Sequence, residues 1–172
     1  MAKPDEKTLV YQAAREEAAK ALEAFGSALT FPVDLSVISE LMYAEWQLDD
    51  QLGDISGMIL KEPGQPAQIL LNKKDSAERQ RFTWAHELGH LAERTTLAED
   101  FDYSFVDLRK PGSYYSIHEF YADEFAGSLL MPASKVDQLQ KDGKSLVEMA
   151  RFFGVSLPAL NMRLHRLTVN PE

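Results

Sequence analysis

The segment RFTWAHELGHLAER, residues 81–94, places His86, Glu87 and His90 in a stretch whose other positions read as a buried helix. Two histidines four apart on a helix project from one face. Burying polar groups is costly unless something satisfies them, and two converging imidazoles call for a divalent cation. The chain has no cysteine, so a metal must sit on histidine and carboxylate. That donor chemistry suits zinc best, although other transition metals fit it too. Zinc acidifies water, and Glu87, next to the first ligand, can take the proton released. This H-E-x-x-H spacing on a helix is a hydrolytic signature. The plainer reading, a surface helix with scattered polar residues, conflicts with the apolar neighbours.

A catalytic zinc needs a third protein ligand and an open position. The extended pattern ending in a third histidine fails, because Glu93 stands where glycine is required and Thr96 where the histidine is required. The segment HEFYADEFAGSLLMP, residues 118–132, offers a carboxylate from a second helix. Glu119 is the expected third ligand. Asp123, four residues on, is placed to accept from a ligating histidine and fix its tautomer. Ala122 and Ala126 are small enough to let another helix approach. Glu93, Glu99 and Asp102 are weaker alternatives as ligands. The competing reading makes Glu119, Asp123 and Glu124 a solvated acidic face. His118, Tyr114, Tyr115 and Tyr121 are candidates to stabilise an oxyanion, with packing or surface exposure the plainer reading for each.

These side chains need elements to carry them. Apolar spacing over residues 7–25 indicates a helix, with Gly26 as its stop. Asp34 is an N-cap for a short helix through LSVISELMYA. The runs ISGMIL and AQILLN flank the turn formers KEPGQP and read as a hairpin or two neighbouring strands. Asp75 and Glu78 fit a capping box opening the His86 helix, which is apolar nearly all round and therefore central. Residues 95–113 read as acidic and irregular, and a further helix runs from about Ser116 to Met131.

In the tail, Ser145 and Glu148 form another capping box, Gly154 closes that helix, and Ser156 caps a second one with Pro158 in its first turn. Two helices joined by GVS read as a helix-turn-helix. Asn161, Arg163, His165 and Arg166 would then be the contacts to a DNA groove. Packing on the rest of the chain is favoured over DNA contact, because the protein is acidic. The whole chain of 172 residues carries −9. From Pro132 onward six basic residues face four acidic ones, a balance of +2, leaving −11 for the rest. The expected organisation is a metallopeptidase domain over 1–132 with a helical appendage, 133–172, packed on it. No apolar run approaches the roughly 20 residues of a membrane span. The N-terminus shows no secretion signal, so a cytoplasmic location is expected.

Taken together, ERQRFTWAHELGH, EFYADEFAGSLLMP and ARFFGVSLPALNMRL resemble the ImmA/IrrE family of zinc metallopeptidases, and PVDLSVISELM, ISGMI and ILLN resemble its N-terminal half. The resemblance implies an α+β, compact, gluzincin-like fold with a small sheet beside the active-site helix. It implies one Zn2+ per chain on His86, His90 and Glu119, with Glu87 as general base. It also implies a protein substrate, often a helix-turn-helix repressor encoded nearby, in bacterial or phage regulation. Two readings of other classes stand beside it: a zinc-stabilised DNA-binding regulator that cleaves nothing, and the toxin half of a toxin–antitoxin pair.

Overall fold

The computed structural model describes residues 6–97, 105–109 and 115–172. Helix α1 (Glu6–Glu23) buries Ala14 and Ala18 completely. Small side chains there let it lie along α4 (Ile117–Leu130). Asp34 caps α2 (Leu35–Leu41) by accepting from the Ser36 amide at 2.9 Å. The helix then stops short of the Ala44 that its sequence pattern suggests. Tyr43 turns the chain with φ of 54°, and β1 (Ala44–Asp49) begins at once.

Among the described residues the sheet has four strands, in the order β1–β3–β2–β4. Strands β2 (Gly57–Lys61) and β3 (Ala67–Asn72) form the expected antiparallel hairpin. Strand β1 pairs parallel to β3, and β4 (Phe105–Arg109) pairs antiparallel to β2. The two edge strands were not legible in the sequence. Residues Glu45–Leu48 of β1 are exposed, so no apolar run marks the strand, and β4 lies within the stretch read as irregular.

One face of the sheet alternates inward through Ile59, Ile69 and Leu71, all at most 1% exposed. Helix α3 (Ala77–Ala92) covers it with Ala85, Leu88 and Leu91. Burying each of the large aliphatic side chains contributes about 2 kcal/mol. The cap of α3 is Ser76 rather than Asp75. The Ser76 hydroxyl accepts from the Arg79 amide at 3.3 Å, while Asp75 accepts from the Arg79 side chain at 3.1 Å. One π-helical turn, Glu93–Leu97, follows.

Helix α4 is capped by Ser116 and ends before Pro132. A helix not assigned from the sequence, α5 (Ala133–Lys141), comes next. The tail then folds as its caps dictate. Ser145 and Glu148 satisfy each other's backbone ahead of α6 (Leu146–Phe153), Gly154 closes it with φ of 66°, and Ser156 opens α7 (Leu157–Val169). Met149, Phe153 and Leu160, each at most 1% exposed, join the same core as the sheet.

The contact between α7 and α4 is ionic inside. Glu124, fully buried, accepts from Arg15 at 2.7 Å, Arg163 at 3.0 Å and Arg166 at 3.1 Å. Arg163 also donates to the Met131 carbonyl at 3.0 Å and to Glu172 at 2.8 Å. Buried charge persists only when paired and hydrogen-bonded, and here every guanidinium has a carboxylate. A solvated acidic face on α4 is therefore ruled out for Glu124.

Candidate metal centre

Helix α3 sets His86 and His90 one turn apart, with their Nε2 atoms 3.0 Å from each other and the rings at 84°. Both are buried, at 1% and 2% exposed, and Glu87 between them is completely buried. Glycine at position 89 makes the next step possible. A Cβ added there would lie 2.9 Å from Ala122 Cα and 3.0 Å from its carbonyl oxygen. Only a residue without a side chain lets α3 and α4 approach this closely.

That approach delivers Glu119. Its carboxylate oxygens lie 3.1 Å from His90 Nε2 and 3.4 Å from His86 Nε2. One donor atom from each of the three residues falls within 4.8 Å of the others. Tetrahedral zinc with bonds near 2.1 Å separates neighbouring ligand atoms by roughly 3.4 Å, so the spacing suits such an ion. The protonation pattern suits it as well. Asp123 Oδ1 stands 2.8 Å from His86 Nδ1. An ionised carboxylate only accepts, which puts the proton on Nδ1 and turns the Nε2 lone pair toward Glu119 and His90. Electron-rich atoms gathered around one point are stabilised by a cation between them. Burial opposes ionisation of Glu119, but the two imidazoles beside its carboxylate outweigh that and hold the carboxyl well below its ordinary range.

Behind Asp123 the chain continues. The Tyr115 hydroxyl donates to Asp123 Oδ2 at 3.1 Å and accepts from Arg166 Nη2 at 2.7 Å. Burial and the Asp123 charge push the Tyr115 phenol up to about 12 against the pull of Arg166, so it keeps its proton at neutral pH. A tail residue is thus linked through a tyrosine and an aspartate to a metal-ligand candidate. Nothing in the local spacing announces this link. The available signal was Arg163 and Arg166 sharing a helix face with Leu160 and Leu167, which marks them as inward-facing.

The remaining candidates fall elsewhere. The hydroxyl of Tyr115 lies behind Asp123, held between it and Arg166. His118 is exposed, its Nδ1 2.7 Å from Glu93 Oε1, which places Glu93 with His118 and outside the converging donor group. Tyr121 is 1% exposed in the core, where burial raises its phenol. Tyr114, Glu99 and Asp102 lie outside the described residues. Arg163 and Arg166, expected on a groove-facing surface, are instead 2% and 8% exposed and bonded to Glu124. A guanidinium spent inside has no face left for phosphate or base. Asn161 and His165 are exposed on α7. Among the described residues no helix is long and apolar enough to cross a membrane.

No curated protein matches the chain. A family match begins within β1, spans the sheet, α3, α4 and the tail, and ends one residue before Arg166. It includes both histidines, Glu87, Glu119 and Asp123. Over residues 47–165 the sequence matches the IrrE N-terminal-like domain of peptidase family M78, and the chain belongs to that family.

Proposed function

We propose that this chain is a zinc-dependent endopeptidase that cleaves a partner protein. The reading is carried by one observation: donor atoms of His86, His90 and Glu119 converge within 4.8 Å in a chain of a peptidase family. Zinc bound there would act as a Lewis acid toward the scissile carbonyl and lower the pKa of water toward neutrality. The protein's own groups do the rest. Asp123 holds the His86 ring in the tautomer that presents Nε2. Glu87 takes a proton from the attacking water and returns it to the departing amine, the role of a general base that becomes a general acid.

The partner is a helix-turn-helix transcriptional repressor encoded nearby, in a bacterial or phage stress or mobile-element system. This part rests on the likeness of the sequence motifs to ImmA/IrrE proteins. A DNA-binding role gains nothing from α7, whose arginines point inward and whose exposed face carries Asn161, Met162 and His165.

The test is to incubate the zinc-loaded protein with the product of the adjacent gene and look for a defined fragment by mass. Chelator should abolish the fragment. Glu87→Gln should keep one zinc per chain and slow cleavage by roughly 10²–10⁴-fold, and His90→Ala should lose the metal. Cleavage by Glu87→Gln at the wild-type rate would overturn the mechanism. An intact partner after prolonged incubation would overturn the choice of substrate.

A further inference from the structure

A second concavity lies apart from the metal donors. It has a volume of about 690 Å3 and sits between the C-terminal halves of α1 and α2, the β2–β3 turn and the end of α3. Its walls are mostly apolar, among them Ala21, Met42, Leu91 and Phe125. Cavities of roughly 300–1,000 Å3 with apolar walls and a few placed polar groups are the usual form of small-molecule sites.

Lys61 is the residue in this wall that packing alone does not explain. It ends β2 in the inward row with Gly57 and Ile59, where the alternation asks for an aliphatic side chain. It is only 9% exposed. Its ammonium donates to the carbonyls of Glu62 and Gln65, both at 2.7 Å. An ammonium has three donors, and neither of these partners carries charge. Arg163 and Arg166, the other buried basic side chains of Lys or Arg type among the described residues, each hold a carboxylate. Lys61 holds none. In a protein of net charge −9, this buried cation lines a mostly apolar cavity whose other charged wall residues, Lys20 and Glu17, are paired with each other at 2.6 Å.

A second observation marks the rim. Tyr43 lines the cavity with φ of 54°, in the left-handed region. It follows α2 at a position where glycine is the usual occupant. A bulky side chain is strained there, and Tyr43 is 63% exposed. The strained backbone holds an aromatic ring at the cavity mouth.

We propose that this cavity binds a small amphipathic monocarboxylate, its head group paired with Lys61 and its hydrocarbon body along the apolar walls. Charge complementarity selects an anion, and the walls select a chain rather than a compact ion such as acetate. Leu91 directly follows His90 on α3, so an occupant would touch the helix that carries both histidines. The site needs neither metal nor proteolysis, and its test is independent of both.

The competing role for Lys61 is a clamp on the 62–65 turn. Calorimetric titration of the full-length protein with decanoate, 1-decanol and decylammonium separates the two. Decanoate should bind once per chain and about tenfold or more tighter than decanol, as expected for a hydrogen bond to a charged group, and decylammonium should not bind. Lys61→Met should bring decanoate down to the level of decanol. Ala21→Phe, which fills the cavity and leaves Lys61 in place, should abolish binding of both. Zinc content should stay unchanged in each variant. The proposal is overturned if decanoate fails to bind by ~1 mM, if decanol binds equally well, or if Lys61→Met binds decanoate like the wild type. Should Lys61→Met not fold, decanoate binding by folded Ala21→Phe protein overturns it.

Discussion

His86 Nδ1 lies 2.8 Å from Asp123 Oδ1, so the ring that faces Glu119 with one nitrogen is anchored to α4 by the other. The same carboxylate carries Tyr115 and, through it, Arg166 of the last helix. Residues 80 positions apart in sequence therefore share one hydrogen-bonded path, and substitutions along it should be felt at the metal.

Asp123→Ala should weaken zinc affinity by about 10–100-fold, the usual cost of losing a carboxylate behind a ligating histidine. Asp123→Asn should lose less, because its amide carbonyl still accepts from Nδ1–H. Competition against a chromophoric chelator reads both. Wild-type affinity in Asp123→Ala would mean that the ring is held by other groups.

Substitutions at Glu124 and Arg166 should separate stability from metal binding. Glu124→Ala removes the buried carboxylate that Arg15, Arg163 and Arg166 share, and should cost about 3–5 kcal/mol in urea unfolding. Arg166→Ala leaves Glu124 its bonds to Arg15 and Arg163, so its loss of stability should be smaller. It should still lower zinc affinity several-fold by loosening Tyr115 against Asp123. Equal losses of stability from the two variants would contradict this division.

Gly89→Val should separate α3 from α4. The added atoms have no room, since even a Cβ would lie 2.9 Å from Ala122. Overpacking of this kind costs about 1–3 kcal/mol or more. The specific signature is zinc loss beyond the loss of fold, because Glu119 is withdrawn from the histidines. Circular dichroism and metal content, measured on the same sample, would separate the two effects.

Tyr115 sets a pH dependence at the alkaline end. Its folded value is raised from 10.0 to about 12 by burial and by Asp123. Below the unfolded value both states keep the proton and the contribution is fully present. As pH climbs from about 10 toward 12, the unfolded chain loses its proton first and stability falls. Tyr115→Phe should unfold less steeply across that window than the wild type. Identical alkaline profiles would remove Tyr115 from the account.

Much of the candidate metal site could be read from the sequence because helix geometry is local. Four residues make about one turn, so His86 and His90 had to share a face wherever the helix lay. The capping box at Ser145 and the left-handed Gly154 are legible for the same reason: each is satisfied within a few residues. Glu119 and Asp123 could be nominated from their spacing, but their meeting with His86 depends on how closely α3 approaches α4, and Gly89 decides that. Strands β1 and β4 escaped because an edge strand owes its existence to a neighbour's open hydrogen bonds rather than to an apolar run of its own. Arg163 and Arg166 look like surface cations until α7 is docked on α4, where Glu124 takes them in. Local spacing determined which side chains could act together; only packing across distant segments decided which of them converge with His86 and His90, which lie in the core, and which are linked behind the candidate site.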